Sequence, residues 1–232
     1  MIPATTPASS TEQTTSTTPA SAQEKLQQLA ERVVRLEWSQ FQRVNNEGGP
    51  ASCQSNWTVF HQMRISQFLA WPYDLLSSYL RDLEQAKTEG RNLLTEKYGR
   101  MMASTAPEEF HQSVEAYLPR LSAQRRTRQE RIIVIQLGWA QDFMQRFPAL
   151  GASMRTLRTK DDSAEQTSFE TYLRGELGTY SDATLNLYES MMQGLLERGC
   201  NLTESIVDNT MRIAGFSSLQ EAERSFQKQS HN

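Results

Sequence analysis

The chain has 232 residues, 24 basic and 27 acidic side chains, and a formal net charge of -3. That length suits one large domain, and the near-balance of charge excludes a polycation that holds nucleic acid by bulk attraction. Two cysteines, Cys53 and Cys200, exclude a disulfide framework and leave reduced thiols as the simpler reading.

From Met1 to Ala22 the chain is Thr, Ser, Pro and Ala, with one acid and no base. It lacks the basic and apolar regions of a secretory signal, and no arginine precedes Arg32 as one would in a mitochondrial presequence. Such a segment cannot bury enough apolar surface to offset its ordering entropy. A disordered tail over 1–22, a helical domain over 23–228 and a cytoplasmic location are expected. The longest apolar run, Ile132 to Ile135, is far short of the ~20 residues that span a bilayer, so no membrane partner is expected.

Apolar residues then recur at three and four almost everywhere, and strand-like alternation is nearly absent. The pattern predicts an all-α, irregular bundle of about eight helices. The first covers Gln23 to Val44 and is broken by Asn45-Asn-Glu-Gly-Gly-Pro50. The second covers Asn56 to Trp71 and stops before Pro72. A long third covers Tyr73 to Ala103. Capping boxes at Thr105/Glu108, Thr167/Glu170, Asn201/Glu204 and Ser218/Glu221 mark further starts. Ser181 caps a helix closed by Gly199, and another runs from Ala123 to Phe147, ahead of Pro148. Residues 149–166 read as one long loop, which in a domain of this size is functional or mobile.

Charged residues on apolar stripes are the informative feature. Glu37 lies four after Val33 and four before Phe41, in the middle of the first helix's buried side. On the second helix Trp57, His61, Arg64, Phe68 and Trp71 share a stripe, while Thr58, Gln62 and Ser66 form the solvent face. Lys97 follows Leu93 and Leu94 by a turn, and Glu176 lies among Phe169, Tyr172, Leu173 and Tyr180. A buried charge costs several kcal/mol unless it is paired and hydrogen-bonded. Two acids and two bases could therefore balance, with the Arg64 guanidinium forked onto Glu37 or Glu176. Two readings follow. In one, the cluster only fixes helix packing in an interaction or scaffold protein. In the other, Glu37, His61, Arg64, Lys97 and Glu176 line a pocket for a small anionic molecule. There Arg64 and Lys97 hold the anion, Glu37 or Glu176 is general acid or base if burial raises its pKa, and His61 or Cys53 assists.

Other chemistries are less well served. Glu108-Glu-Phe-His111 is one Glu-x-x-His pair where a di-iron bundle needs two. No tight spacing marks a metal site, and no motif specifies a cofactor. Cys53 near a helix start, with His61 as base, would suit a nucleophile, against the simpler reading of a packed thiol. There is no Walker or G-x-G-x-x-G loop. The run Arg120, Arg125, Arg126, Arg128 and Arg131 could meet phosphate, but such a run is more often a solvated helix face, so nucleic acid is not expected as a partner.

Several stretches resemble a family. Glu37-Trp38, Gly48-Gly-Pro-Ala-Ser-Cys-Gln54, Met63-Arg-Ile-Ser-Gln67, Gly90-Arg-Asn-Leu93, Lys97-Tyr98, Thr167 to Leu177, Thr179-Tyr-Ser181 and Asn201-Leu202 are similar to the uncharacterised bacterial and fungal family known as domain of unknown function 4125. The likeness covers about Val33 to Arg224. It implies one helical domain and no particular reaction. It also implies weight at Glu37, Cys53, Gln54, Arg64, Gln67, Arg91, Asn92, Lys97, Glu170, Tyr172, Arg174 and Glu176. Gln67, Arg91, Asn92, Tyr172 and Arg174 thereby join Arg64 and Lys97 as candidate ligand-binding residues. Family members often carry Arg where this chain has Pro50. The Thr/Ser/Pro-rich tail resembles a fungal addition to the family, and a role in small-molecule biosynthesis is expected from that context alone.

Overall fold

The computed structural model describes residues 21–44, 52–163 and 166–229, with the side chains of residues 52 and 53 left out. The expected tail up to residue 20, the break at 45–50 and His231 lie outside these residues. Among them are eleven α-helices and no strand: α1 (Ala22–Phe41), α2 (Trp57–Phe68), α3 (Tyr73–Thr88), α4 (Leu93–Thr105), α5 (Pro107–Glu109), α6 (Ala123–Arg146), α7 (Pro148–Ala152), α8 (Phe169–Leu177), α9 (Asp182–Glu197), α10 (Leu202–Ile213) and α11 (Leu219–Gln229). A π-helical turn, Phe110–Val114, continues α5. None of the helices is long and apolar enough to cross a membrane.

The expected count of about eight is low for local reasons. The long third helix divides into α3 and α4, because the chain turns at Gly90 (φ 73°) and Asn92 caps a new start by accepting from Leu94 and Thr95 N–H. The presumed loop 149–166 opens inside α7, whose Pro148 occupies the first turn. Two expected caps also move. Thr105 is the last residue of α4 rather than an N-cap, and it is Ser168, not Thr167, that accepts from Thr171 N–H at the start of α8. Ser181, Asn201 and Ser218 cap as their spacing predicts. Ser21 forms a full capping box with Glu24, so helical order begins just inside the segment assigned to the tail.

Helix α1 packs on α2, α3 and α4; α4 lies along α8; α10 covers α2 and α6. The face of α2 expected to meet solvent does so at Thr58, but its C-terminal end is covered: Ser66 is fully enclosed, and Asn209 and Gln62 bond across the α2–α10 contact. Trp71 is the hub of the largest apolar cluster. Phe68, Tyr79, Tyr180 and Tyr188 meet it edge-on at centroid distances of 5.1, 5.9, 6.1 and 5.5 Å. Each such pair contributes ~0.5–1.5 kcal/mol beyond burial. The same packing delivers the phenol groups of Tyr79 and Tyr180 to the carboxylates of α1 and α8. A second cluster, Phe143, Phe147, Leu150, Leu219 and Ala222, joins α6, α7 and α11.

Candidate functional site

Glu37 is fully enclosed on the inner face of α1, opposite Arg64 of α2. Arg64 Nε donates to Glu37 Oε2 at 2.6 Å and Nη2 to Oε1 at 2.7 Å, the forked pairing expected of a guanidinium. The remaining N–H groups of Arg64 reach Glu176 Oε2 at 3.3 Å, Glu176 Oε1 at 3.2 Å and Gln67 Oε1 at 2.7 Å. Lys97 Nζ donates to Glu176 Oε2 at 2.7 Å and lies 3.6 Å from the centre of the Tyr172 ring. Tyr79 donates to Glu37 at 2.7 Å, and Tyr180 and Gln67 donate to Glu176 at 2.9 and 2.8 Å. Two carboxylates and two cations thus form one buried, neutral network across α1, α2, α3, α4 and α8.

The pairing sets the protonation of Glu176 and Arg64. Burial pushes the Glu176 carboxyl up, but the charges and hydrogen bonds of Arg64 and Lys97 outweigh burial and hold it far below the usual carboxylate range. Burial pulls the Arg64 guanidinium down, and Glu176 and Glu37 more than reverse this. Burial, then a nearby carboxylate, raises the phenols of Tyr79, Tyr180 and Tyr188. The condition set for Glu176 as a general acid, a raised pKa, is not met. Arg64 cannot hold an anion either, since all five of its N–H groups are engaged within the network.

Four of the expected residues, Glu37, Arg64, Lys97 and Glu176, converge, and Gln67 and Tyr172 join them. The others stand elsewhere. His61 turns to Glu31, 3.0 Å away near the surface, with its ring 5.1 Å from that of Trp57. Arg91 pairs with Glu96 and Glu89 at the edge of α4. Asn92 is the α4 cap and also donates to Gln40 O at 2.8 Å. Arg174 faces outward to Glu130 and Glu170. The Cys53 side chain lies outside the described residues. Tyr180 lies one turn after Glu176, a spacing that signals a donor role; Tyr79 of α3 carries no local signal of its bond to Glu37.

Beside the network lies a cavity of about 350 Å³ between α2, α6, α7, α8, α9 and α10. Its walls are largely apolar, with Met63, Met154, Met211, Phe169, Ile206 and Val207 among them, and Gln67, Gln136, Tyr172, Glu176 and Tyr188 supply polar groups. Gln136 donates to the Tyr188 hydroxyl at 2.9 Å. Arg155, exposed on the segment after α7, lines it too, its guanidinium 5.0 Å from the Tyr172 ring centre.

The family described as "Protein of unknown function (DUF4125)" matches the chain over residues 27–224. The chain belongs to this family. Neither the curated proteins nor the solved structures contain a match to it. The matched span takes in the helices that build the DUF4125 network and cavity, from residue 27 of α1 through α10. Among the DUF4125 positions noted above, Gln54 has a structural part: its side-chain amide donates to the carbonyls of Phe41 and Val44, both at 2.9 Å, and closes the end of α1.

Proposed function

We propose that this domain binds a small, mostly apolar molecule in the cavity beside Glu176, with the molecule's polar end on the Gln67–Gln136–Tyr188 side. The observation that carries this is the pairing of a cavity of about 350 Å³ with a neutral, fully bonded ion network as its rigid wall. Small-molecule sites are concave, mainly apolar and equipped with a few fixed polar groups, at volumes of roughly 300–1,000 Å³. The three lining methionines suit a ligand of irregular outline, because thioether side chains repack cheaply. An anionic end would meet Arg155 at the cavity wall instead of Arg64 or Lys97, whose charges Glu37 and Glu176 already neutralise. Glu176 is ionised and Tyr188 a phenol at any ordinary pH, so binding fits the wall better than proton transfer.

The test fills the cavity without touching the network. Val207→Trp places an indole in the cavity from α10. Titration of the full chain with 1-anilinonaphthalene-8-sulfonate should show saturable fluorescence in the wild type and an affinity at least about tenfold lower in the variant, the loss that follows from removing ~1.4 kcal/mol of contact. Equal dye affinity in both proteins would sink the reading. Native mass spectrometry of the purified protein then weighs any molecule carried through purification.

A further inference from the structure

The arginine run does not survive folding as a block. Arg125 turns inward, donating to Asp182 at 2.6 Å and to the carbonyls of Leu177 and Tyr180 at 3.1 and 2.6 Å. Arg128 pairs with Glu189 at 2.6 Å. Of the rest, Arg131 lies outside, while Arg120 and Arg126 meet Arg100 of α4 at a second cavity, of about 580 Å³. Among the described residues none of these three has a carboxylate partner. Arg100 donates to Pro119 O and Arg126 to Leu121 O, each at 2.7 Å, and Arg100 Nε is buried with no acceptor. The acid at the cavity, Glu115, is exposed and lies 2.8 Å from His111.

Two features mark this arrangement. Arg100 passes close to Gly178, where an added Cβ would stand 2.5 Å from Arg100 Cδ and would push that side chain aside. The facing wall begins in the π-helical turn Phe110–Val114, a rare geometry that recurs at functional sites. Burial lowers the pKa of Arg100; Glu96 opposes this, and Arg125 and Arg91 lower it further. Nearby positive charge thus adds to what an incoming anion would relieve.

We propose that this cavity binds a phosphomonoester, its phosphate among Arg100, Arg120 and Arg126 and its organic part against Phe110 and Leu118. Guanidinium forks match phosphate oxygens in pairs, and a dianion suits three cations with no carboxylate bonded to them better than a carboxylate does. The volume exceeds what a phosphate alone needs, and the apolar wall gives an organic substituent its surface. The site is separate from the apolar cavity and does not depend on the reading given to it.

Isothermal titration of the full chain with phenyl phosphate, inorganic phosphate and phenol tests the proposal. Phenyl phosphate should bind more tightly than inorganic phosphate, phenol should not bind, and added salt should weaken the binding. Arg120→Gln and Arg126→Gln, at exposed positions whose loss leaves the core intact, should each weaken phenyl phosphate about tenfold or more. Gly178→Ala, which displaces Arg100, should do the same, and Arg131→Gln, from the same run but outside the cavity, should change nothing. Affinity unaltered in the Arg120 and Arg126 variants, or equal loss with Arg131→Gln, overturns the proposal. So does a failure of phenyl phosphate to bind at low salt, including the case where an RNA oligonucleotide binds in its place.

Discussion

Arg64 holds two carboxylates that lie on helices far apart in sequence, Glu37 on α1 and Glu176 on α8. Removing it leaves Glu37 enclosed with only the Tyr79 hydroxyl as a donor among the bonds described above. Breaking one side of a buried pair costs about 3–5 kcal/mol, because the other charge stays buried and uncompensated. Arg64→Ala should lower the unfolding free energy in urea by about that much, and Arg64→Lys should recover little, since an ammonium cannot fork onto two carboxylates. Glu176 makes a prediction in pH. Its folded-state carboxyl is held below the unfolded value, so the unfolded chain binds more protons in acid. The stabilisation is complete above about pH 5 and fades as pH falls below the ordinary carboxylate value of about 4.3. Urea midpoints at pH 6 and pH 3 should differ less in Glu176→Gln than in the wild type. Asp162 and Glu170, also held low, account for part of what slope remains. An undiminished difference in the variant would mean that Glu176 is not held low.

Among the helices, the α4–α8 contact decides whether Lys97 reaches Glu176. The two backbones approach closely at Gly175, where a Cβ would stand 2.8 Å from Lys97 O and 2.9 Å from Met101 Cγ. Gly175→Ala should destabilise the protein by about 1–3 kcal/mol through overpacking. Gly138, on the exposed face of α6, meets nothing within 4 Å. Gly138→Ala should stabilise by about 0.5–1 kcal/mol, as alanine does inside a helix. Opposite shifts in thermal midpoint check both, and a shift of the same sign would contradict the close approach. The helix ends show how much of this level was legible. Asn201 and Ser181 cap where their spacing says they should, because a cap involves residues three apart. The division between α3 and α4 was missed because apolar periodicity runs on through Ala86, Leu93 and Leu94, and nothing in that pattern registers a reversal of the backbone.

At the level of the whole molecule, the second apolar cluster couples the C-terminal helix to the cavity. Glu223 of α11 accepts from Ala149 and Leu150 N–H, both at 2.9 Å, and so caps α7 from across the fold. Leu150 belongs to that cluster and also lines the cavity. Ending the chain after Gly215 removes the cap and uncovers Phe143 and Phe147. The segment from α7 to Arg155 should then lose amide-exchange protection, and the dye affinity of the cavity should fall with it. Unchanged protection at Leu150 and Ser153 in the truncated chain would show that α7 stands without α11.

Sequence alone determined that Glu37, Arg64, Lys97 and Glu176 point inward. The period of a helix assigns each residue to a face, and four charges on apolar faces cannot stay buried unless they meet. Tertiary structure alone decided which charge meets which. It turned His61 away to Glu31, recruited Tyr79 and Tyr180, engaged every donor of Arg64 and left the cavity beside the network rather than within it. Periodicity names a face but not the helix that will cover it, and the partners here, such as Arg64 and Glu176, lie 112 residues apart. Contacts at that separation are set by how all the helices pack together, which no local pattern contains.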